Sequence, residues 1–306
     1  MGLIETAVPA GSSSARRSIY SCDVLSDHVL LAVGRRPAEL SAGNLIDRGG
    51  ILRVGEDQCA LLVSRGRVTD FCALPGTYEF DTAQDAAPRR GPLEEQVLAT
   101  WKQLSPPPGE PGAQKLYYVN LQTIRGLAFE SGRPIPFLAR IPADGLEIDI
   151  DLTCSGRFSY RICDPVLFFT NVTGSVEDRF DNAELNDELR KELAIRIPAA
   201  LAGIAAAGTA FSDRASFCRA VEEKLAETPS SLRSLLGIEL TSVTVSDIHP
   251  VGRSGEFFYR WMAAAEKEAK KEKPAGTKDW FCPRCGAASS GNFCPQCGSR
   301  KPQIPG

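Results

Sequence analysis

The C-terminal end of the chain carries two matching cysteine knuckles. They read Cys282-Pro283-Arg284-Cys285-Gly286 and Cys294-Pro295-Gln296-Cys297-Gly298. Four thiolates at this spacing match tetrahedral zinc coordination, and each glycine permits the positive φ that a tight knuckle needs. Because so short a segment has almost no hydrophobic core, the metal would supply its folding energy. The pattern predicts a structural zinc site formed by Cys282, Cys285, Cys294 and Cys297, with two chance thiol pairs or a disulfide knot as the alternatives.

Length and composition restrict the class of protein. The 306 residues suffice for one large or two modest domains plus the cysteine segment, and 43% of them are hydrophobic. The net charge of −3 argues against a general nucleic-acid-binding protein, which usually has a strong basic excess. No signal peptide is visible, and no apolar run approaches the roughly 18 residues of a membrane-spanning helix. Buried free thiols and a zinc motif together favour a reducing cytoplasm, the expected location. The six cysteines outside the knuckles, all scattered in largely apolar surroundings, are Cys22, Cys59, Cys72, Cys154, Cys163 and Cys218.

Composition along the chain predicts four parts. Residues 1–21, rich in Ser, Ala and Gly at their start, are expected to form a flexible N-terminal arm. Residues 22–250 are expected to form one α+β domain, in which the Pro-rich segment 81–114 is a surface insertion with a short helix near Leu93–Leu104. A helix and hinge follow over 251–276, and the zinc ribbon occupies 277–301.

Strand patterns dominate the first half of the domain and helical patterns the second. A long helix is predicted from Glu184 to about Gly208, with Pro198 expected to kink or split it. A second helix, capped by Ser212 or Asp213, is predicted to end at Glu227. The predicted strands are Val29–Val33, Cys59–Val63, Val68–Phe71, a strand after Pro75-Gly76, Leu116–Val119 and Ile238–Val245.

The clearest alternation of apolar and polar residues lies between Leu146 and Ile162. A hairpin with a three-residue loop, Ser155 to Arg157, would align Cys154 with Phe158 and keep both apolar faces on one side, so this register is predicted. The acidic row Glu147, Asp149 and Asp151 is then the solvent face of the first strand. A metal-activated hydrolase that uses this row is the alternative interpretation.

Conventional catalytic motifs are not evident. The chain has two histidines, His28 and His249, and neither lies beside an obvious nucleophile in the sequence. No Walker-type phosphate loop and no Gly-X-Ser-X-Gly elbow occurs. We therefore expect no enzymatic activity and no small-molecule substrate.

The predicted helix from Glu256 to Lys273 has an apolar face. This face is the candidate partner-contact surface, and its residues are Phe257, Phe258, Trp261 and Met262. Three interpretations stay open: packing on the domain or on a neighbouring subunit, docking into a partner's groove, and adsorption to a membrane surface.

Several segments of the chain, taken in order, resemble the SPFH domain shared by stomatin, prohibitin, flotillin and HflK/HflC (Band 7-like). The segments that carry the resemblance are Gly55–Thr82, Tyr117–Asn120, Arg133–Phe137, Leu146–Cys154, Tyr160–Pro165 and the long helix after Phe168–Val172. Together with the zinc ribbon, they resemble a bacterial, virion-core-protein-like SPFH subfamily. The implied fold is α+β, with antiparallel-rich sheets plus helices, followed by a short helix and a small zinc-ribbon module.

The resemblance also implies a function. Such proteins are non-enzymatic, oligomeric scaffolds, and this subfamily acts peripherally at the cytoplasmic membrane through recruiting partners in envelope stress responses. A nucleic-acid-associated ribbon is the alternative, since the ribbon is mildly basic. Its aromatic and basic residues are not densely interleaved, so nucleic acid is not the expected partner. The charged residues of the ribbon are Lys278, Asp279, Arg284, Arg300 and Lys301.

Overall fold

The structure, a computed structural model, describes residues 2–5, 18–35, 45–81, 88–105, 114–140, 147–208, 214–227, 231–272, 280–289 and 292–301. The strands are Gly2–Glu5 (β1), Ile19–Tyr20 (β2), Val29–Val33 (β3), Ile51–Val54 (β4), Gln58–Ser64 (β5), Arg67–Cys72 (β6), Gly76–Asp81 (β7), Lys115–Asn120 (β8), Ile124–Glu130 (β9), Ile135–Arg140 (β10), Glu147–Ile162 (β11), Arg179–Asp181 (β12), Ile238–Val251 (β13), Trp280–Phe281 (β14) and Ala288–Ser289 (β15). The helices are Gln96–Leu104 (α1), Pro165–Phe168 (α2), Ala183–Ala206 (α3), Arg214–Glu227 (α4), Leu232–Leu236 (α5) and Gly252–Glu272 (α6), with a π-helical turn at Phe169–Thr173. The predicted α+β class is confirmed.

The strands form three larger sheets and one small one. The first has the order β1-β7-β4-β2, the second β12-β3-β8-β5-β6, and the third β10-β11-β13 with β9 also paired to β11. All pairs are antiparallel except that of β2 with β4. The fourth sheet, β14-β15, belongs to the cysteine segment. Among the residues that the structure describes, no helix is both long and apolar enough to cross a membrane.

The second sheet is buried on both faces, which explains its near-continuous apolar strands. In β5, Cys59, Leu61 and Val63 pack in the large core formed with the helices and the third sheet. The alternate residues Ala60 and Leu62 pack in a second core against the first sheet. Because successive side chains of a strand point to opposite faces, each face of β5 serves a different core.

The predicted hairpin at Ser155–Arg157 is wrong. β11 continues without a turn through these residues, and both of its edges are occupied. On one edge it pairs first with β10 and then with β9, and on the other it pairs with β13 from Asp151 to Ile162. Residues 154 and 158 are four positions apart. They would therefore lie on the same face both in a hairpin with a three-residue loop and in one straight strand. The alternation pattern therefore fits both structures, and only the partner β13 decides between them.

The long helix α3 passes through Pro198 without a break, so the predicted split is wrong. Buried residues recur at helical spacing on both sides of the proline, at Leu189, Leu193, Ile197 and Leu201. This stripe packs in the large core, which keeps the helix in place across Pro198. The predicted caps of the second helix, Ser212 and Asp213, lie outside the described residues.

Parts of the predicted N-terminal arm belong to the fold. β1 pairs with β7, and Leu3 is 1% exposed. β2 pairs with β4, and the hydroxyl of Tyr20 accepts the N–H of Asp47. The expectation of a flexible arm is therefore wrong for residues 2–5 and 18–21. These segments bury apolar side chains, and the Ser- and Gly-rich composition of the arm gives no indication of that burial.

The Pro-rich segment contains the predicted short helix, α1. Leu93 and Val97 are buried in the large core, and Trp101 packs against it. The helix is therefore anchored to the domain, while residues 82–87 and 106–113 of the predicted insertion lie outside the described part of the chain.

Candidate metal centre

The structure brings the four predicted ligands together. The sulfur atoms of Cys282, Cys285, Cys294 and Cys297 all lie within 4.8 Å of one another. Both knuckle glycines, Gly286 and Gly298, have the predicted positive φ, at 72° and 71°. Each donates its N–H to the carbonyl oxygen of the first cysteine of its own knuckle, at 2.8 and 2.9 Å respectively. The two knuckles are thus equivalent turns that face each other.

The sulfur spacing fits a metal rather than disulfides. Cys282 Sγ lies 3.5 Å from Cys297 Sγ, and Cys285 Sγ lies 3.5 Å from Cys294 Sγ. A disulfide would require about 2.05 Å. A tetrahedron with zinc–sulfur bonds of about 2.3 Å has edges of about 3.8 Å, close to the observed separations. The four cysteines therefore fit a metal ion that is coordinated by four thiolates and has a closed coordination shell.

The rest of the ribbon is small. β14 and β15 form one hairpin, and Phe293 bridges Arg300 in the other half. The apolar cluster consists of buried Trp280, Cys282 and Cys294, with Ala287 and Cys297 packed against them. A cluster of this size cannot offset the conformational entropy of the segment, so bound metal would stabilise it.

Ser299 is a contributor that the sequence did not reveal. Its Oγ lies 3.2 Å from Cys297 Sγ, and this hydrogen bond, with help from the Ser299 backbone, lowers the pKa of the Cys297 thiol to about 6. A hydroxyl that donates to a thiolate favours the deprotonated form, which is the form that binds metal. The other knuckle has Ala287 at the matching position.

The ribbon surface combines exposed aromatic and basic side chains. Phe281 is 74% exposed and Phe293 is 61% exposed. The described residues of the ribbon include the cations Arg284, Arg300 and Lys301 and no carboxylate. Because Phe293 and Arg300 are direct bridge partners, their side chains lie next to each other on one face.

The acidic row of β11 lies on the solvent face. Glu147, Asp149 and Asp151 are all exposed and alternate with buried or half-buried neighbours. In the described part of the chain, the four cysteines are the one group of three or more potential ligands that converges. The row therefore follows from strand alternation.

His249 lies in a polar cluster between β11 and β13. Its Nε2 lies 3.2 Å from the Thr153 hydroxyl on the adjacent strand, and its Nδ1 lies 3.1 Å from Asp247 Oδ2. A carboxylate only accepts, so neutral His249 carries its proton on Nδ1 and accepts from Thr153. Asp247 is also paired with Arg214, which offsets its charge. Two strands distant in sequence bring these groups together, so no local motif could reveal the cluster. His28 is exposed.

The predicted partner-contact face of α6 is divided. Phe257 is 58% exposed, whereas Phe258 is 2% exposed and belongs to the large core. Phe258 is therefore a core residue, not a contact residue, because adjacent helical positions point about 100° apart. Trp261, one turn after Phe257, is half-buried, and the side chain of Met262 lies outside the described residues.

Comparison with known proteins assigns the central part of the chain to a family. A family model described as the SPFH domain-Band 7 family matches residues 40–251. The match ends at Val251, the last residue of β13, so α6 and the ribbon lie beyond it. No curated protein matches the chain.

Proposed function

The chain belongs to the SPFH domain-Band 7 family, and on that premise we propose that it is a non-enzymatic, oligomeric scaffold. It acts peripherally at the inner face of the cell membrane through protein partners. The observation that carries this proposal is the family match over residues 40–251, which covers most of the three large sheets together with α1–α5. The resemblance to the bacterial zinc-ribbon subfamily extends the proposal to a role in envelope stress.

Two surfaces are suited to contacts with other chains. On α6, exposed Phe257 and half-buried Trp261 lie one turn apart on one side of the helix. On the ribbon, Phe281 and Phe293 expose large apolar area on a rigid module. Exposed aromatic side chains of this kind are typical of protein interaction sites.

We propose zinc as the resident metal, with a structural role. Four thiolates suit zinc, and its closed shell leaves no position for a substrate. Bound zinc would supply the folding energy of the ribbon, and the cysteines would hold it without taking part in a reaction. The folded ribbon would then hold its exposed aromatic and basic side chains in fixed positions.

A pull-down from cell extract tests the scaffold proposal. The intact protein is compared with a version truncated after Gly276, which removes the ribbon. We expect the intact protein to capture membrane-associated proteins, and partners lost on truncation to be those that bind the ribbon. Flotation with liposomes, with and without those partners, separates recruitment from direct lipid contact. Flotation of the pure protein alone would contradict recruitment through partners.

A nucleic-acid-associated ribbon remains the second candidate, because Arg284, Arg300 and Lys301 make the described residues of the ribbon basic. It requires salt-dependent retention of DNA or RNA that weakens when these three residues are neutralised. The scaffold proposal expects no retention at low salt.

A further inference from the structure

A groove on the SPFH domain has an apolar floor and an acidic rim. It opens between the N-terminal half of α3, α5 and the π-helical turn, with a volume of about 640 Å³. Val172, Phe180, Leu185, Leu232 and Leu236 supply the apolar lining. The volume lies within the range of pockets that accept ligand-sized groups.

Carboxylates outnumber cations around this groove. Glu184, Asp187, Glu188 and Glu192 line it, against one cation, Lys191. Lys191 pairs with Glu188 at 2.6 Å, and Arg190 pairs with Asp187 at 2.7 Å. Because these two pairs neutralise only two of the four carboxylates, the rim keeps a net negative charge. A partner that fits the groove therefore has an apolar anchor with a cation beside it.

The ribbon presents this combination. Phe293 is 61% exposed, and its bridge partner Arg300 is exposed beside it. With zinc bound, the four-thiolate centre keeps a net negative charge, so the complementarity is local. It is carried by the Phe293–Arg300 pair: the ring matches the apolar floor, and the guanidinium matches the acidic rim.

We propose that this groove receives Phe293 and Arg300 of the ribbon from a second copy of the chain. The groove lies beside α5, at the Ile238 end of β13, whereas α6 starts from the Val251 end. A 14-residue strand separates the two ends by about 46 Å at about 3.3 Å per residue. The chain's own ribbon would reach the groove only if α6, about 31 Å long, ran back along β13 and the connection spanned the remaining distance of about 15 Å. A neighbouring copy avoids this requirement.

The inference rests on the proposed oligomeric scaffold and specifies one of its contacts. Each copy has one ribbon and one groove, which are different surfaces, so the contact is heterologous. Contacts of this kind propagate from copy to copy into rings or open filaments. The ribbon would thus link neighbouring SPFH domains.

Photo-crosslinking of the full-length protein tests the contact. p-Benzoylphenylalanine replaces Phe293 in a chain of natural isotope content, which is mixed with a ¹⁵N-labelled chain lacking the photoreactive residue. We expect crosslinked peptides that join residue 293 to ¹⁵N peptides from α3, α5 or the π-helical turn. The same replacement at Phe281, the other exposed ribbon aromatic, is the matched control and should give a lower yield at the groove.

Charge reversal supplies a second readout. Glu184→Lys in the acceptor chain should lower the crosslink yield about two- to fivefold, the range for a rim ion pair, and Arg300→Glu in the donor should restore it. Crosslinks confined to the same chain, or to another surface, would overturn the inference. Light scattering on the same samples separates the two claims: assemblies without the groove crosslink contradict the docking alone, whereas a monomer contradicts the scaffold as well.

Discussion

The backbone of Gly156 in β11 lies directly against the carbonyl oxygen of Thr244 in β13. A Cβ on residue 156 would come well inside 3.0 Å of that oxygen, closer than Cβ atoms come in real structures. On another side, the ring of Phe129 from β9 would lie 2.8 Å away. The glycine is therefore required by the close approach of two neighbouring strands, not by a turn.

Gly156→Ala is expected to destabilise the domain by about 2–4 kcal/mol, because the new methyl group forces β13 or β9 to move. Urea denaturation followed by circular dichroism measures the change. Gly132→Ala is the matched control. Gly132 has φ +65° with nothing within 4 Å, so only backbone strain of about 1 kcal/mol is expected. Equal costs at the two sites would contradict the close approach at Gly156.

Cys282→Ser and Cys297→Ser are each expected to abolish binding of one zinc ion per chain and to unfold the ribbon, because three thiolates do not complete its shell. Native mass spectrometry measures the metal, and limited proteolysis measures cleavage within 277–301. The matched control is Gln296→Ser, an exposed change in the same knuckle. Residues 22–250 should keep their stability. Loss of the whole fold would show instead that the ribbon is an integral part of the domain core.

Asp70 is expected to make the stability of the domain depend on pH. Burial raises its pKa to about 7, although the backbone N–H groups of Phe71 and Leu3 donate to it. The folded protein therefore keeps a proton that the unfolded chain, with a pKa near 3.9, has already lost. This contribution to stability is complete below about pH 4 and is lost as pH rises through about 7.

The free energy of unfolding should consequently fall by about 2–3 kcal/mol between pH 5 and pH 8 through Asp70 alone. Asp70→Asn should remove that part of the slope, whereas Asp149→Asn, an exposed change on β11, should leave the wild-type slope. Urea titrations of the three proteins at both pH values give the comparison. A slope unchanged in Asp70→Asn would mean that another group is responsible.

Adjacent aromatic residues on α6 should respond differently to truncation. Phe258→Ala should cost about 3–5 kcal/mol, since the side chain is 2% exposed. Phe257→Ala should change stability by less than about 0.5 kcal/mol, since 58% of the side chain is exposed, but it should reduce partner capture in the pull-down. Thermal unfolding and the pull-down are measured on both variants. Unchanged capture by Phe257→Ala would remove this surface from the proposal.

The sequence was sufficient to predict those features that are determined by residues close together in the chain. Cys59–Val63 is a strand and α1 is a helix because apolar spacing and turn residues are local signals. The four cysteines were predicted as one site because their spacing alone limits their geometry. Asp70 shares strand parity with the buried residue Cys72, and this parity could have identified it as a buried carboxylate.

The sequence alone could not predict which strands pair when they lie far apart in the chain. β11 and β13 are separated by 75 residues, and their pairing determines both the straight path through Gly156 and the cluster of His249 with Thr153. The burial of Leu3 likewise depends on its pairing partner Phe80 in β7. Residues this far apart leave no periodic signal, so the hairpin and the flexible arm were reasonable but wrong alternatives.

The most direct test of the scaffold proposal is the mass of the zinc-loaded, full-length protein by light scattering at micromolar concentration. One chain has a mass of 33.0 kDa. The proposal predicts assemblies of many copies, because each domain would contact its neighbours through separate surfaces. A mass equal to that of a single chain across the micromolar range would contradict it.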